Sequence, residues 1–130
     1  MSELLPRIKT PQRPGYSLTE YPHAIAQAQT YIANLDLTIA ETKAEITMVE
    51  LAIDKQVAFD TELKNEGQRK SKRKELIAQD DGHDLLIGKL ETDKRAKARA
   101  EIRLTLLINQ FTVAKIEARG ETARQLAIAA

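Results

Sequence analysis

The sequence predicts an all-α fold, a long antiparallel helical hairpin of coiled-coil type. The chain is rich in Ala, Leu, Glu, Lys, Arg and Gln, which are strong helix formers, and only 4% of its residues are aromatic. All four prolines precede residue 23, and the next glycine is Gly67. Isoleucine recurs at a spacing of seven residues, the repeat of a coiled coil, at Ile25, Ile32, Ile39, Ile46 and Ile53.

The N-terminal part of the chain differs from the rest. Residues 1–18 are predicted to form an extended or disordered arm, because their prolines remove hydrogen-bond donors and disfavour helix. Residues 19–130 are predicted to form a single helical hairpin domain. Its first helix is expected over about 19–65. Ser17 and Glu20 have the S-x-x-E spacing of a capping box at the start of that helix.

An apolar seam runs along the predicted first helix. A strict seven-residue repeat imposes a left-handed supercoil on packed helices. A weaker second stripe with the same period, Leu37, Ala44, Leu51 and Ala58, indicates contact with more than one neighbouring helix. The predicted core or oligomer seam of this helix consists of Ile25, Ile32, Leu35, Ile39, Ile46, Val49 and Ile53.

A second helix is predicted over about 84–125, and its segment 102–116 is apolar on a wide arc. A helix that is apolar around much of its circumference is buried on several sides. Asn109 interrupts one apolar row, and a polar residue in such a row fixes register or oligomeric state. The seam of this helix is predicted at Ile102, Leu106, Asn109, Val113 and Ile116.

The connection between the helices is a basic segment, 66–83, in which two break points remain open. The helix can end at Gly67 or at 80–82, where Asp-Asp-Gly favours a turn. A reversal at 80–82 is preferred, and it places Ile102 opposite Asp60 and Thr61. Charge agrees with an antiparallel pairing. Residues 20–65 hold eight acidic and three basic side chains, whereas residues 66–103 hold eleven basic and eight acidic ones.

Apolar surface beyond one seam predicts self-association. A two-helix hairpin buries only one seam, and exposed apolar patches usually mark interfaces. We therefore expect a homo-oligomer, most simply a homodimer in which two hairpins form a four-helix bundle. Higher oligomers remain open. The alternative is a monomer whose arm or broken helix folds back over the seam.

The residues that carry chemistry are sparse. The chain has no Cys and two His, and neither His has the spacing of a known metal motif. Asp80, Asp81, His83 and Asp84 form an acidic cluster without calcium-loop spacing. We expect no enzymatic activity, no cofactor and no metal. The longest nearly apolar run is too short to span a bilayer, so we expect a cytoplasmic protein without a membrane partner.

Two basic clusters are the candidate nucleic-acid contacts. The preferred pairing brings them to the same end of the hairpin, where together they neutralise several phosphates. The same region lacks aromatic platforms for single strands. The first cluster is Arg69, Lys70, Lys72, Arg73 and Lys74, and the second is Lys94, Arg95, Lys97 and Arg99.

Two functions follow from these patterns. The first is a structural or interaction protein, a coiled-coil homo-oligomer that binds a protein partner. The alternative is a bacterial or phage accessory protein that binds nucleic-acid backbone without sequence readout. The layout of a helical protein with a basic elbow resembles small accessory proteins carried by bacteria and their phages, but no motif of such proteins assigns a role to any residue.

Overall fold

The computed structural model describes residues 15–129. Three α-helices and no strand make up this described range: α1 is Tyr21–Ala58, α2 is Glu66–Gln79 and α3 is Asp81–Ala129. The all-α prediction is confirmed. Most of the predicted arm, residues 1–14, lies outside the described range.

Contacts divide the described chain into two compact units, where the sequence predicted a single domain over 19–130. The first unit comprises residues 15–28 and 103–129 within the described range. The second unit is Gln29–Ile102. Both α1 and α3 therefore contribute to each unit, whereas α2 belongs to the second unit alone.

Ser17 and Glu20 form one half of the expected capping box at the start of α1. The Ser17 N–H donates to Glu20 Oε1 at 2.7 Å. This backbone hydrogen bond is the main cause that lowers the pKa of the Glu20 carboxyl. The other half is absent here because the Ser17 hydroxyl bonds the Thr19 hydroxyl, at 3.1 Å. The Ser17 carbonyl instead accepts the N–H groups of Glu20 and Tyr21.

The first helix ends at Ala58, earlier than the predicted end near residue 65. Asp60 Oδ1 accepts the Glu62 N–H at 2.9 Å, and Asn65 Oδ1 accepts the Gln68 N–H at 2.9 Å. Short polar side chains of this kind compete with helical backbone bonds and favour turns and caps. Asn65 is thus the N-cap of α2, and most of the predicted connecting segment 66–83 is helix.

Asp80 alone separates α2 from α3. Its N–H donates to the Ile77 carbonyl at 3.1 Å, and its Oδ1 accepts the His83 N–H at 2.7 Å. The residue has extended backbone angles, φ −83° and ψ 106°. It ends one helix and caps the next, so α3 begins at Asp81 rather than near residue 84. The chain thus breaks twice, at 59–65 and at Asp80.

The core of the second unit lies between α1 and α3. Ile39, Ile46 and Leu90 are buried together, and Leu86 packs against them. Thr42 occupies a seam position and is only 1% exposed. Its hydroxyl accepts a hydrogen bond from Lys89 Nζ at 3.1 Å, so the polar group in the seam is satisfied.

Contacts in the second unit run in opposite order along α1 and α3. Asp36 Oδ1 lies 2.7 Å from Lys97 Nζ, whereas Glu50 Oε2 lies 2.9 Å from His83 Nε2. The predicted pairing of Ile102 with residues 60–61 is therefore wrong. The chain already turns back within 59–65, so α2 contacts the C-terminal end of α1 through Arg73 and Asp54, at 2.5 Å. Consequently α3 first meets α1 near Glu50.

Aromatic side chains organise the first unit. Tyr21 is 3% exposed and stacks on Phe111 with ring centroids 5.4 Å apart. Tyr16 also packs against Tyr21, with ring centroids 5.5 Å apart. Lys115 Nζ lies 4.5 Å from the centroid of the Phe111 ring. Aromatic pairs of this geometry add about 0.5–1.5 kcal/mol beyond area burial. Three of the five aromatic residues in the chain thus cluster here.

Removing a core isoleucine is expected to destabilise the protein far more than removing an exposed leucine of the same helix. Ile46→Ala should lower the free energy of unfolding by about 2–5 kcal/mol, because a buried side chain leaves a cavity. Leu51→Ala should change it by less than about 0.5 kcal/mol, since Leu51 is 56% exposed. Urea unfolding at one protein concentration measures both. Equal losses would contradict the assigned seam.

Candidate functional site

Helix α3 carries apolar residues on two opposite sides. Its inner row is buried in each unit, at Leu90 and Ala100 in the second unit and at Leu107 in the first. The other side bears what we call the outer row, whose apolar members are 53–71% exposed. Successive members are four and three residues apart, which is the spacing of a coiled-coil seam. The outer row consists of Leu106, Asn109, Val113 and Ile116 in the first unit, and Ile102 continues its spacing at the end of the second unit.

The outer row contains the α3 residues that the sequence predicted to lie along α1. The structure places them away from α1, because the inner row has the same helical spacing and occupies that contact. Periodicity alone does not distinguish two rows that share one period. Exposed apolar patches of this kind mark sites of association.

The predicted seam of α1 faces inward. Ile39, Ile46 and Ile53 are buried, and the remaining positions are half-buried: Ile25, Ile32, Leu35 and Val49. The opposite side of α1 bears a second apolar stripe in the second unit. Leu37 is 61% exposed and Met48 is 67% exposed. We call Leu37, Met48 and Leu51 the α1 stripe.

A polar network at Glu50 was missed by sequence reasoning. His83 Nε2 lies 2.9 Å from Glu50 Oε2, and Arg73 Nη2 lies 4.0 Å from Glu50 Oε1. Arg73 Nε also donates to Asp54 Oδ1 at 2.5 Å. The network joins α1 to both α2 and α3, next to the break at Asp80. The only signal in the sequence is Glu50 and Asp54 one helical turn apart, which is common on any helix surface.

Several members of the first basic cluster form ion pairs with carboxylates. Arg69 pairs with Glu66 at 3.5 Å, Lys72 pairs with Glu75 at 3.7 Å, and Arg73 joins the network at Glu50. Lys70 and Lys74 are exposed. The positive electrostatic potential of this cluster is therefore weaker than five unpaired charges would give.

The second basic cluster is also partly neutralised. Lys97 Nζ lies 2.7 Å from Asp36 Oδ1. The hydrogen bond to Asp36, and then the charge of Asp36, raise the pKa of the Lys97 ammonium. Lys94, Arg95 and Arg99 are exposed.

The two basic clusters do not converge, contrary to the prediction. Arg73 contacts Asp54, whereas Lys97 contacts Asp36. Those two carboxylates are 18 residues apart on α1, roughly 27 Å at 1.5 Å per residue. The predicted convergence relied on a reversal at 80–82, and the turn at 59–65 places the clusters one after the other along α1.

The acidic cluster near Asp80 is part of the helix junction. Asp80 accepts the His83 N–H, and the His83 ring is bonded to Glu50. Within residues 15–129, no group of three or more His, Asp or Glu side chains is arranged to hold a metal ion.

The described helices include none that combines the length and apolar character needed to cross a membrane.

Comparison with protein-family models finds no match. Comparisons with curated proteins and with solved structures find no significant match either.

The ion pair between Asp36 and Lys97 is expected to give a pH dependence at the alkaline end. A raised folded-state pKa means that the pair stabilises the protein below the unfolded lysine pKa, and that this stability is lost as pH rises through the folded pKa. The melting temperature should therefore fall above about pH 10.5 more steeply in the natural protein than in Asp36→Asn. Glu75→Gln is the matched control and should keep the steeper fall. Parallel curves for the natural protein and Asp36→Asn would contradict the assignment.

Proposed function

We propose that the protein is a non-enzymatic structural and interaction protein. In this proposal the chain is a coiled-coil helical hairpin, and two copies associate through α3 into a homodimer of four long helices that binds a protein partner. The outer row of α3 carries the proposal, because an exposed apolar row at coiled-coil spacing has the geometry to receive another helix. The ion-paired state of Glu50, Asp54 and Arg73 supports a structural rather than a catalytic role for these groups.

The size of the outer row sets the expected affinity. Fully burying one Val, Leu or Ile side chain contributes about 1.5–3 kcal/mol, and the members here begin about half exposed. Leu106, Val113 and Ile116 from two copies therefore contribute a sum of the same order as the association cost of about 4–15 kcal/mol. Because these side chains do little more than offset that cost, the rest of the dimer interface must supply the net affinity, and we expect a dissociation constant nearer micromolar than nanomolar.

The α1 stripe is the proposed surface for a protein partner. Leu37, Met48 and Leu51 are exposed on one side of α1. An amphipathic helix docks on such a side through apolar anchors at helical spacing. Met48 adds an adaptable contact, because a thioether side chain fits irregular surfaces.

Nucleic-acid backbone binding is the second candidate function, in an accessory protein of the bacterial or phage kind. The observation that favours it is a set of exposed basic side chains for which no carboxylate contact is found within residues 15–129. These side chains form two separate groups on the protein. A short duplex segment can therefore contact only one group at a time, which limits the number of phosphates bound. The set is Lys70, Lys74, Lys94, Arg95 and Arg99.

Polar substitution of the outer row is expected to abolish the dimer without unfolding the chain. Leu106→Asn with Val113→Asn should give a monomer in sedimentation equilibrium at micromolar concentration, with the helical circular dichroism retained. Both side chains are more than half exposed, so the fold loses little. Ile46→Asn is the contrasting variant and should lose helical signal, because it buries an unsatisfied polar group. A monomeric natural protein would overturn the proposal.

Duplex DNA binding is expected to be weak and to depend on salt if the second function holds. The logarithm of the binding constant should fall with the logarithm of salt concentration at a slope near −0.9 per phosphate contact. Changing the five exposed basic residues to Gln should reduce that slope. Changing the carboxylate-paired Arg69, Lys72 and Arg73 to Gln should reduce it less. Absence of binding in fluorescence anisotropy at low salt would exclude this function.

A further inference from the structure

We propose that the outer row of α3 binds the same row of a second copy in antiparallel orientation. This inference rests on the proposed self-association and adds its orientation and register. The register places Leu106 opposite the partner subunit's Ile116, and Asn109 opposite the partner subunit's Val113. A twofold axis then passes near Phe111, so each contact occurs twice.

Charges beside the outer row favour this orientation. One flank carries Arg103, Gln110 and Glu117 at seven-residue spacing. In an antiparallel pair, equivalent flanks meet, so Arg103 faces the partner subunit's Glu117. The symmetric contact repeats the pair, and residues that flank a coiled-coil seam set orientation and partner choice in this way.

The parallel arrangement lacks such a match. There the flank with Arg103 meets the opposite flank, which carries Thr105, Thr112 and Arg119. Glu117 then faces the partner subunit's Thr112. Arg119 faces the partner subunit's Arg124, a contact between like charges. The parallel pair therefore gains no opposite charges along this row.

The neighbouring antiparallel registers are also less favourable. Sliding one copy by seven residues in one direction places Ile116 opposite the partner subunit's Arg99. Sliding it the other way places Arg103 opposite the partner subunit's Arg124. The proposed register avoids both contacts. It also places Ile102 opposite the partner subunit's Gly120, around which residues 15–129 leave open space.

Charge reversal tests the pairing of Arg103 with Glu117. Arg103→Glu alone and Glu117→Arg alone should each raise the dimer dissociation constant roughly tenfold at low salt, because each places like charges together twice. The double variant should restore the natural value. Lys94→Glu is the control, since Lys94 is exposed and lies away from the outer row, and it should leave the constant unchanged. Sedimentation equilibrium measures all four.

A spin label tests the orientation directly, because the chain has no native Cys. In the proposed register, position 122 lies opposite position 100 of the partner subunit. Labels on Thr122→Cys should therefore be roughly 33 Å apart, from 22 residues at 1.5 Å each. A parallel dimer would bring the same labels within about 20 Å of each other, given helix spacings of 8–10 Å.

The outcomes separate the orientation from self-association itself. A long label distance with rescue in the double charge variant supports the proposed register. A dimer with a short label distance, or one in which the double variant remains weakened, overturns the antiparallel register while leaving self-association intact. A natural protein that stays monomeric overturns both proposals.

Discussion

The burial of the isoleucine row of α1 is the constraint on which the second unit depends. Ile39 and Ile46 need apolar cover, and the turn at 59–65 returns the chain to supply it. Because α2 occupies the end of α1 near Asp54, α3 meets α1 from Glu50 onward. Lys97 and His83 then find carboxylates at opposite ends of this contact. These polar contacts make a slip of the helices costly, since it would separate several of them at once.

Covering α1 leaves α3 with a second apolar side. A helix that packed only against α1 would carry polar residues opposite its inner row, as surface helices usually do. Instead Leu106, Val113 and Ile116 are more than half exposed there. Apolar residues at helical spacing therefore lie both on the side of α3 that packs on α1 and on the opposite side. Self-association accounts for both rows with one packing geometry, which is why it is preferred over a purely monomeric role.

Electrostatics contributes more to internal pairing than the charge runs alone indicate. Asp36, Glu50 and Asp54 lie on α1, and each contacts a basic side chain, Lys97 of α3 or Arg73 of α2. Exposed pairs of this kind contribute about 0.2–1 kcal/mol each, so they select register more than they add stability. They also reduce the charge available to phosphates. In the proposed nucleic-acid function, binding therefore depends on the exposed lysines and arginines of two separated groups.

The sequence by itself determined that the chain is helical and that a break falls near Asp80, whereas its alternative break at Gly67 lies beyond the observed turn at 59–65. These features are local, because they follow from heptad spacing, from caps such as Asn65 and Asp80, and from the distribution of proline and glycine. It did not determine which break reverses the chain, nor which row of α3 faces α1. Only tertiary structure decided those points, because two rows with one period are equivalent until the length of the turn and the opposing charges select a register.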